Sequence, residues 1–401
     1  MTSADLQDIP EESECGPEAQ ESKADSEIVP TTPRCLGNRL KHQVISETSP
    51  VKRILNGTIS VTLVSPIMEA LLKCMQNTHP EASSPAMWWG TLGTVRPFPN
   101  FKKDARDIQT ALESKGSDVN TLVRILTNRN NAQRQSIAES YHNLTQKELC
   151  PALKKALSGG LEQLMLGLMM TPSQFDAHLL RQTMEGIGTD EESLLAVLCT
   201  KSPQQLKDAT IAYKQEFGRY LENDLISETS KDFTKLVLAI LKKEELNSKE
   251  IVDYQLIDQD VKALNDAVNG KKKDPAPWIQ VLTTRDSNHL NRVLSRLEDL
   301  RGETVDKTVQ SHFSGDLRLG FRTLVGSIPS IHFFLAQRLH SNIKKGSVVQ
   351  GILISHSEED LLCVRIEYRR LTNTSLYSTL QKEYKGEMQQ ALLALCRSED
   401  L

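Results

Sequence analysis

Aromatic residues make up only 5% of the 401 positions, which argues against a β-sandwich, whose strands are populated by Tyr, Phe and Trp. No apolar run reaches the ~18–20 residues needed to span a bilayer. The first thirty residues are acidic and hold no apolar stretch, so no secretory leader is expected. The seven cysteines (15, 35, 74, 150, 199, 363 and 396) are odd in number and show no C-x-x-C spacing. That pattern predicts reduced thiols in a cytosolic protein, with neither a disulfide frame nor a cysteine-built zinc site. Catalytic signatures are missing too. His142, His178, His289, His312, His332, His340 and His356 are scattered without H-E-x-x-H or another ligand spacing, and no nucleophile elbow or Walker loop occurs. No enzymatic activity is expected. A formal net charge of −4 lacks the basic excess of a dedicated nucleic-acid binder, so nucleic acid is not expected as the main partner.

What is present is an ordinary globular composition, 38% apolar and 25% charged, with ample material for a core. The charge is unevenly spread. Residues 1–33 carry nine acids and one base, a net of −8, so the remainder carries +4. Residues 1–50 are rich in Glu, Ser, Pro and Thr without periodicity, and a segment of this kind is expected to be disordered. One stretch of the 1–97 tail is different. In Ser65-Pro66-Ile67-Met68-Glu69-Ala70-Leu71-Leu72-Lys73-Cys74-Met75, the apolar side chains Ile67, Met68, Leu71, Leu72 and Met75 form one helical stripe. Ser65 is placed as its N-cap and Pro66 at its first helical position. A helix this short is marginal alone in water, so it either docks on a partner or folds back onto the body.

From about Phe98 onward the pattern is helical and repeats itself. Ile125-Leu126-Thr127-Asn128-Arg129, Val197-Leu198-Cys199-Thr200-Lys201, Val281-Leu282-Thr283-Thr284-Arg285 and Ile352-Leu353-Ile354-Ser355-His356 align, their leucines separated by 72, 84 and 71 residues. A second anchor, Ser158-Gly159-Gly160-Leu161, Ser230-Lys231-Asp232-Phe233, Ser314-Gly315-Asp316-Leu317 and Lys385-Gly386-Glu387-Met388, has the same three spacings. The body is therefore four repeats of roughly seventy residues, at 98–169, 170–241, 258–328 and 329–401, with a linker at 242–257. In repeat two, five short amphipathic helices are expected at about 173–184, 190–200, 203–212, 219–226 and 231–241. The longer connector suggests an array divided into a first and a second half. Cys199 and Cys396 fall on apolar helix faces and read as core thiols. Glu358-Glu359-Asp360 reads as helix-start charge favoured by the dipole.

Four such repeats, with Gly186-Ile187-Gly188-Thr189-Asp190-Glu191-Glu192 opening the second helix of repeat two, resemble the annexin family. The resemblance covers about 90–401 and extends to Thr127-Asn128-Arg129-Asn130-Asn131-Ala132-Gln133-Arg134-Gln135, to Asp253–Asp260 and to Ala391–Cys396. It implies an all-α, curved disc of four repeats of about five helices each. It also implies a face that binds Ca2+ and, through it, acidic phospholipid such as phosphatidylserine. On that likeness the chain is cytoplasmic and peripheral to the plasma membrane or vesicle membranes.

Carried over residue by residue, the likeness places the carbonyls of Met184, Gly186 and Gly188 and the carboxylate of Glu228 around a calcium ion in repeat two. Calcium takes six to eight hard oxygen ligands, which such a set begins to supply. The other repeats depart from the pattern. Repeat one shows Lys115-Gly116-Ser117-Asp118, read as a shortened loop, with Ala156 at the acidic position. Repeat three has Lys271, Lys272 and Lys273 where the second glycine belongs, and His312 at the acidic position. Repeat four keeps Glu383 but loses about four loop residues, leaving Lys344 and Lys345. These five lysines are lipid-contact candidates, so reduced calcium dependence is expected. Some annexins dock an N-terminal helix into a small EF-hand protein of the calpactin-light-chain type, and the Ile67–Met75 stripe is similar. That likeness supports an alternative, an interaction scaffold in which membrane binding is largely lost.

Overall fold

A computed structural model describes Thr91 and residues 100–186, 188–244, 252–270 and 274–397. The acidic tail, the Ile67–Met75 stripe and Lys271–Lys273 lie outside the described residues. Among the described residues there are twenty α-helices and no strands.

Repeat one holds α1 (Phe101–Glu113), α2 (Val119–Leu126), α3 (Asn131–Thr145), α4 (Leu149–Ala156) and α5 (Gly159–Met169). Repeat two holds α6 (Pro172–Thr183), α7 (Glu191–Thr200), α8 (Pro203–Phe217), α9 (Leu221–Glu228) and α10 (Lys231–Leu241). Repeat three holds α11 (Tyr254–Asn269), α12 (Ala276–Thr284), α13 (Ser287–Arg301), α14 (Val305–His312) and α15 (Gly315–Ser327). Repeat four holds α16 (Ile331–Ser341), α17 (Gly346–His356), α18 (Leu361–Thr372), α19 (Leu376–Glu383) and α20 (Gly386–Cys396).

The starts follow local chemistry. Thr171-Pro172 and Ser202-Pro203 each supply a hydroxyl N-cap and a proline at the first turn, and Gln174 and Gln205 complete capping boxes. The third helix of repeat two outruns its expected end at 212 and stops only at Gly218. Its interior has no breaker, and the buried Tyr213 extends its apolar stripe.

Burial gathers the helices into two cores. One joins repeats two and three through Leu195, Leu198, Phe233, Leu236, Trp278 and Phe321. The other joins repeats one and four through Leu122, Leu126, Leu164, Leu353, Leu392 and Leu395. The pairing is reciprocal: α7 packs on α15 and α10 on α12, while α2 packs on α20 and α5 on α17. The long connector therefore does not divide the array into a first and a second half. It joins two repeats that share a core, because the second and fifth helices of each repeat have apolar faces that only a neighbouring repeat covers.

The acidic triplet also differs from its expected role. Asp360 stands at the N-cap of α18 yet makes no side-chain cap hydrogen bond. Glu358 instead accepts from the Asn131 backbone N–H at 2.7 Å and from Arg134 Nη2 at 2.8 Å, both in repeat one. Glu359 accepts from Gln205 Nε2 of repeat two at 2.8 Å. One turn of repeat four thus ties three repeats together. The cysteines fit expectation more closely: Cys396 is buried, and burial pushes the Cys199 thiol up to about 12.

Candidate metal site

In repeat two the segment between α6 and α7 is closed by the Asp190 N–H donating to the Thr183 carbonyl at 2.8 Å. Asp190 then caps α7 by accepting from the Ser193 N–H at 3.0 Å, which holds the end of the loop. Within the loop Gly186 has φ +106° and Gly188 φ +88°, a region that side-chain-bearing residues rarely adopt. The carbonyls of Met184, Gly186 and Gly188 accept no backbone hydrogen bond from any described residue. Met184 anchors one end, its side chain buried in the core, while both glycines are exposed.

Glu228 is the last residue of α9 and is exposed. The Thr189 hydroxyl donates to the Glu228 carbonyl at 3.1 Å and so fastens the loop to the end of that helix. No cation pairs with the Glu228 carboxylate among the described residues. Among the described residues nothing donates to the three carbonyls or pairs with the Glu228 carboxylate, and all four groups are oxygen donors. Such hard ligands, incomplete in number, fit calcium and suit soft metals poorly.

The same position closes the fourth helix of every repeat. Ala156, Glu228, His312 and Glu383 are the last residues of α4, α9, α14 and α19. The loops ahead of them explain the departures. Repeat one is not shortened: Asp118 donates to the Ala111 carbonyl at 2.8 Å, the same seven-residue separation as in repeat two. What changes is that α1 continues to Glu113 and Ser114 replaces the first glycine, its carbonyl accepting from the Ser117 N–H at 3.0 Å. The oxygen needed for a ligand is committed inside the loop.

In repeat three, Asp274 closes on Ala267 at 3.4 Å, but Gly270 has φ −65° and lacks the turned backbone of Gly186. His312 Nδ1 lies 2.8 Å from the Thr308 carbonyl, a helical contact of its own. Repeat four is shortened as expected, with Lys345 closing on Asn342 at 2.8 Å after only three residues. There the Tyr384 hydroxyl donates to the Ile343 carbonyl at 2.9 Å, occupying a loop oxygen. Lys344 and Lys345 are exposed and pair with no acid among the described residues. Among the described residues, repeat two alone combines two positive-φ loop glycines with an acid ending its fourth helix.

Residues 103–168, 175–240, 259–324 and 334–395 each match the family described as Annexin. The chain is an annexin. It is similar to human annexin A9, at 36% identity over 330 residues, covering 81% of this chain and 95% of that protein. Trp89-Gly90-Thr91-Leu92-Gly93-Thr94 and the closing Cys396-Arg397-Ser398-Glu399-Asp400 resemble annexin nine in particular. Among solved structures it is similar to annexin III, with TM-score 0.74 and 32% identity, covering 78% of this chain and 98% of that one. Chicken annexin V is alike at TM-score 0.72 and 32% identity, covering 77% and 99%. Annexins are in general calcium-dependent phospholipid-binding proteins without enzymatic activity.

The sequence alone missed one cluster in this annexin. His332 and His356, which look scattered along the chain, meet on either side of Asp360. The signal was present in the repeat register, where His356 takes the position held by Arg129, Lys201 and Arg285.

Proposed function

We propose that this annexin associates peripherally with acidic membranes through one calcium ion held in repeat two, by Met184, Gly186 and Gly188 carbonyls and the Glu228 carboxylate. The observation that carries the reading is a loop whose carbonyls accept no backbone hydrogen bond from a described residue, fastened to the end of the helix that Glu228 closes. These four groups would hold the ion, which would supply the positive charge that attracts a lipid phosphate. The residues themselves hold the loop open, supply the negative charge and leave coordination positions for water or lipid. No helix among the described residues is long and apolar enough to cross a membrane.

A single bridge makes a weak attachment, because an array gains membrane affinity by multivalency. Direct charge adds to it in this reading. Lys344 and Lys345 are exposed in a former calcium loop, and Lys271, Lys272 and Lys273 lie in the corresponding loop of repeat three. Each basic residue near an anionic leaflet is worth about 1 kcal/mol. Replacing all five with Gln is expected to remove the vesicle binding that persists in chelator. Sedimentation with phosphatidylserine vesicles measures this, and unchanged pelleting would exclude the lysines from lipid contact.

A second reading rests on the Ile67, Met68, Leu71, Leu72 and Met75 stripe, which would recruit a small EF-hand protein of the calpactin-light-chain type. A peptide of residues 62–78 is expected to bind such a protein by calorimetry. No heat with any of them removes this reading.

A further inference from the structure

In three repeats one ion pair ties the first helix to the end of the second. The pairs are Arg129–Asp104 at 2.8 Å, Lys201–Asp176 at 2.8 Å and Arg285–Asp260 at 2.7 Å. Each pair is 25 positions apart in sequence. Repeat four departs on both sides, with His356 where the cation stands and Ile331 where the acid stands. Its acid comes from Asp360, in the turn between α17 and α18. Asp360 Oδ1 lies 2.6 Å from His356 Nδ1, and its Oδ2 lies 2.9 Å from His332 Nε2 on α16. Glu359 stands beside them, so that one ligand atom each of His356, Glu359 and Asp360 lies within 4.8 Å of the others. Arginine and charged lysine offer no lone pair to a metal, whereas a neutral imidazole does. The substitution thus turns a structural ion pair into a set of ligand-type groups.

We infer that this turn is a second metal site, for a divalent transition metal of the zinc class, with His356, Glu359 and Asp360 as ligands and His332 as the positioning residue that orients the Asp360 carboxylate. One imidazole, two carboxylates and a water complete the four-coordinate arrangement that zinc adopts where a position stays open. Ligand atoms about 2.0–2.2 Å from a tetrahedral ion sit roughly 3.3–3.6 Å apart, so the His356–Asp360 contact opens by about 1 Å on binding. The route in is present, because the side chains of His332 and Asp360 are 34% and 25% exposed. The imidazole also separates this site from the all-oxygen loop of repeat two. An ion here would stiffen the turn through which Glu358 and Glu359 hold repeats one and two.

The test is calorimetric titration of the full chain with zinc chloride in calcium-free buffer. One zinc ion per chain is expected at this turn, at least tenfold weaker in H356Q, E359Q and D360N. H332Q weakens it roughly tenfold, as loss of an orienting partner does. E228Q should leave it unchanged, and excess calcium should not displace it. His356 is buried, so E359Q, whose carboxylate is only partly buried, decides the matter should H356Q melt early. Wild-type protein that shows no saturable zinc binding, or zinc binding that persists unchanged in D360N and E359Q, would overturn the inference.

Discussion

Replacing Glu228 with Gln abolishes calcium-dependent pelleting on phosphatidylserine vesicles. The substitution keeps the volume of the side chain at the end of α9 and removes only its charge. Nothing else in the fold depends on that charge, since Glu228 is exposed and no described cation pairs with it. The Thr189 hydroxyl bonds to the Glu228 backbone carbonyl, so the loop stays attached in the variant. Helix content and melting temperature should therefore match wild type. Calcium affinity in such sites is tuned over decades by ligand charge, so losing the one carboxylate of the set takes binding out of the calcium range that wild type uses. Repeats one, three and four cannot compensate, because they lack the acid or the open loop oxygens. A variant that pells with wild-type calcium sensitivity would place the functional ion elsewhere. The residual binding in chelator should be the same for both proteins.

The largest effect on stability is expected from Trp278→Ala. Trp278 is fully buried on α12, and its indole N–H donates to the Leu264 carbonyl at 3.1 Å. Its ring packs on Phe313 and Phe321 at centroid separations of 5.4 and 5.6 Å. Truncation leaves a large cavity and removes the indole hydrogen bond, costing about 3–5 kcal/mol. Because α12 packs on α10 and α15 on α7, the loss should loosen repeat two as well as repeat three. Hydrogen exchange read by mass spectrometry should rise in both and stay unchanged in α2 and α5 of the other core. Faster exchange confined to repeat three would contradict the shared core.

Much of this architecture is legible in one dimension. Two unrelated anchors with the same spacings give the four repeats, and Ser, Thr and Pro at helix starts give most boundaries of repeat two. The site was legible where it depends on local backbone chemistry. Two glycines and an acid forty positions on are sequence features, and Gly186 and Gly188 do take up positive φ. What periodicity does not carry is the identity of a distant partner. The apolar face of α7 announces burial but not that α15 of repeat three covers it. Glu358, Glu359 and Asp360 are three neighbouring acids to the eye, yet their side chains reach three different repeats. Repeat one misleads for a different reason. Its loop lacks a glycine and so looks short, whereas α1 has extended into it while the closing bond keeps its place.

The repeat-two loop is also tied to the remainder of the molecule by side-chain contacts. Asp190, which ends the loop, bonds to Ser193, and Ser193 accepts from Arg338 of repeat four at 2.8 Å. Arg338 also holds Glu192 at 2.6 Å. The repeat-two loop is thus braced from the opposite core, so its geometry does not rely on repeat two alone.

Counting the calcium ions retained per chain on phosphatidylserine vesicles, with lipid in excess, tests most directly whether a single repeat carries the calcium bridge. One ion per chain in wild type and none in E228Q is the predicted result. Two or more ions per chain, or one that survives in E228Q, would contradict it.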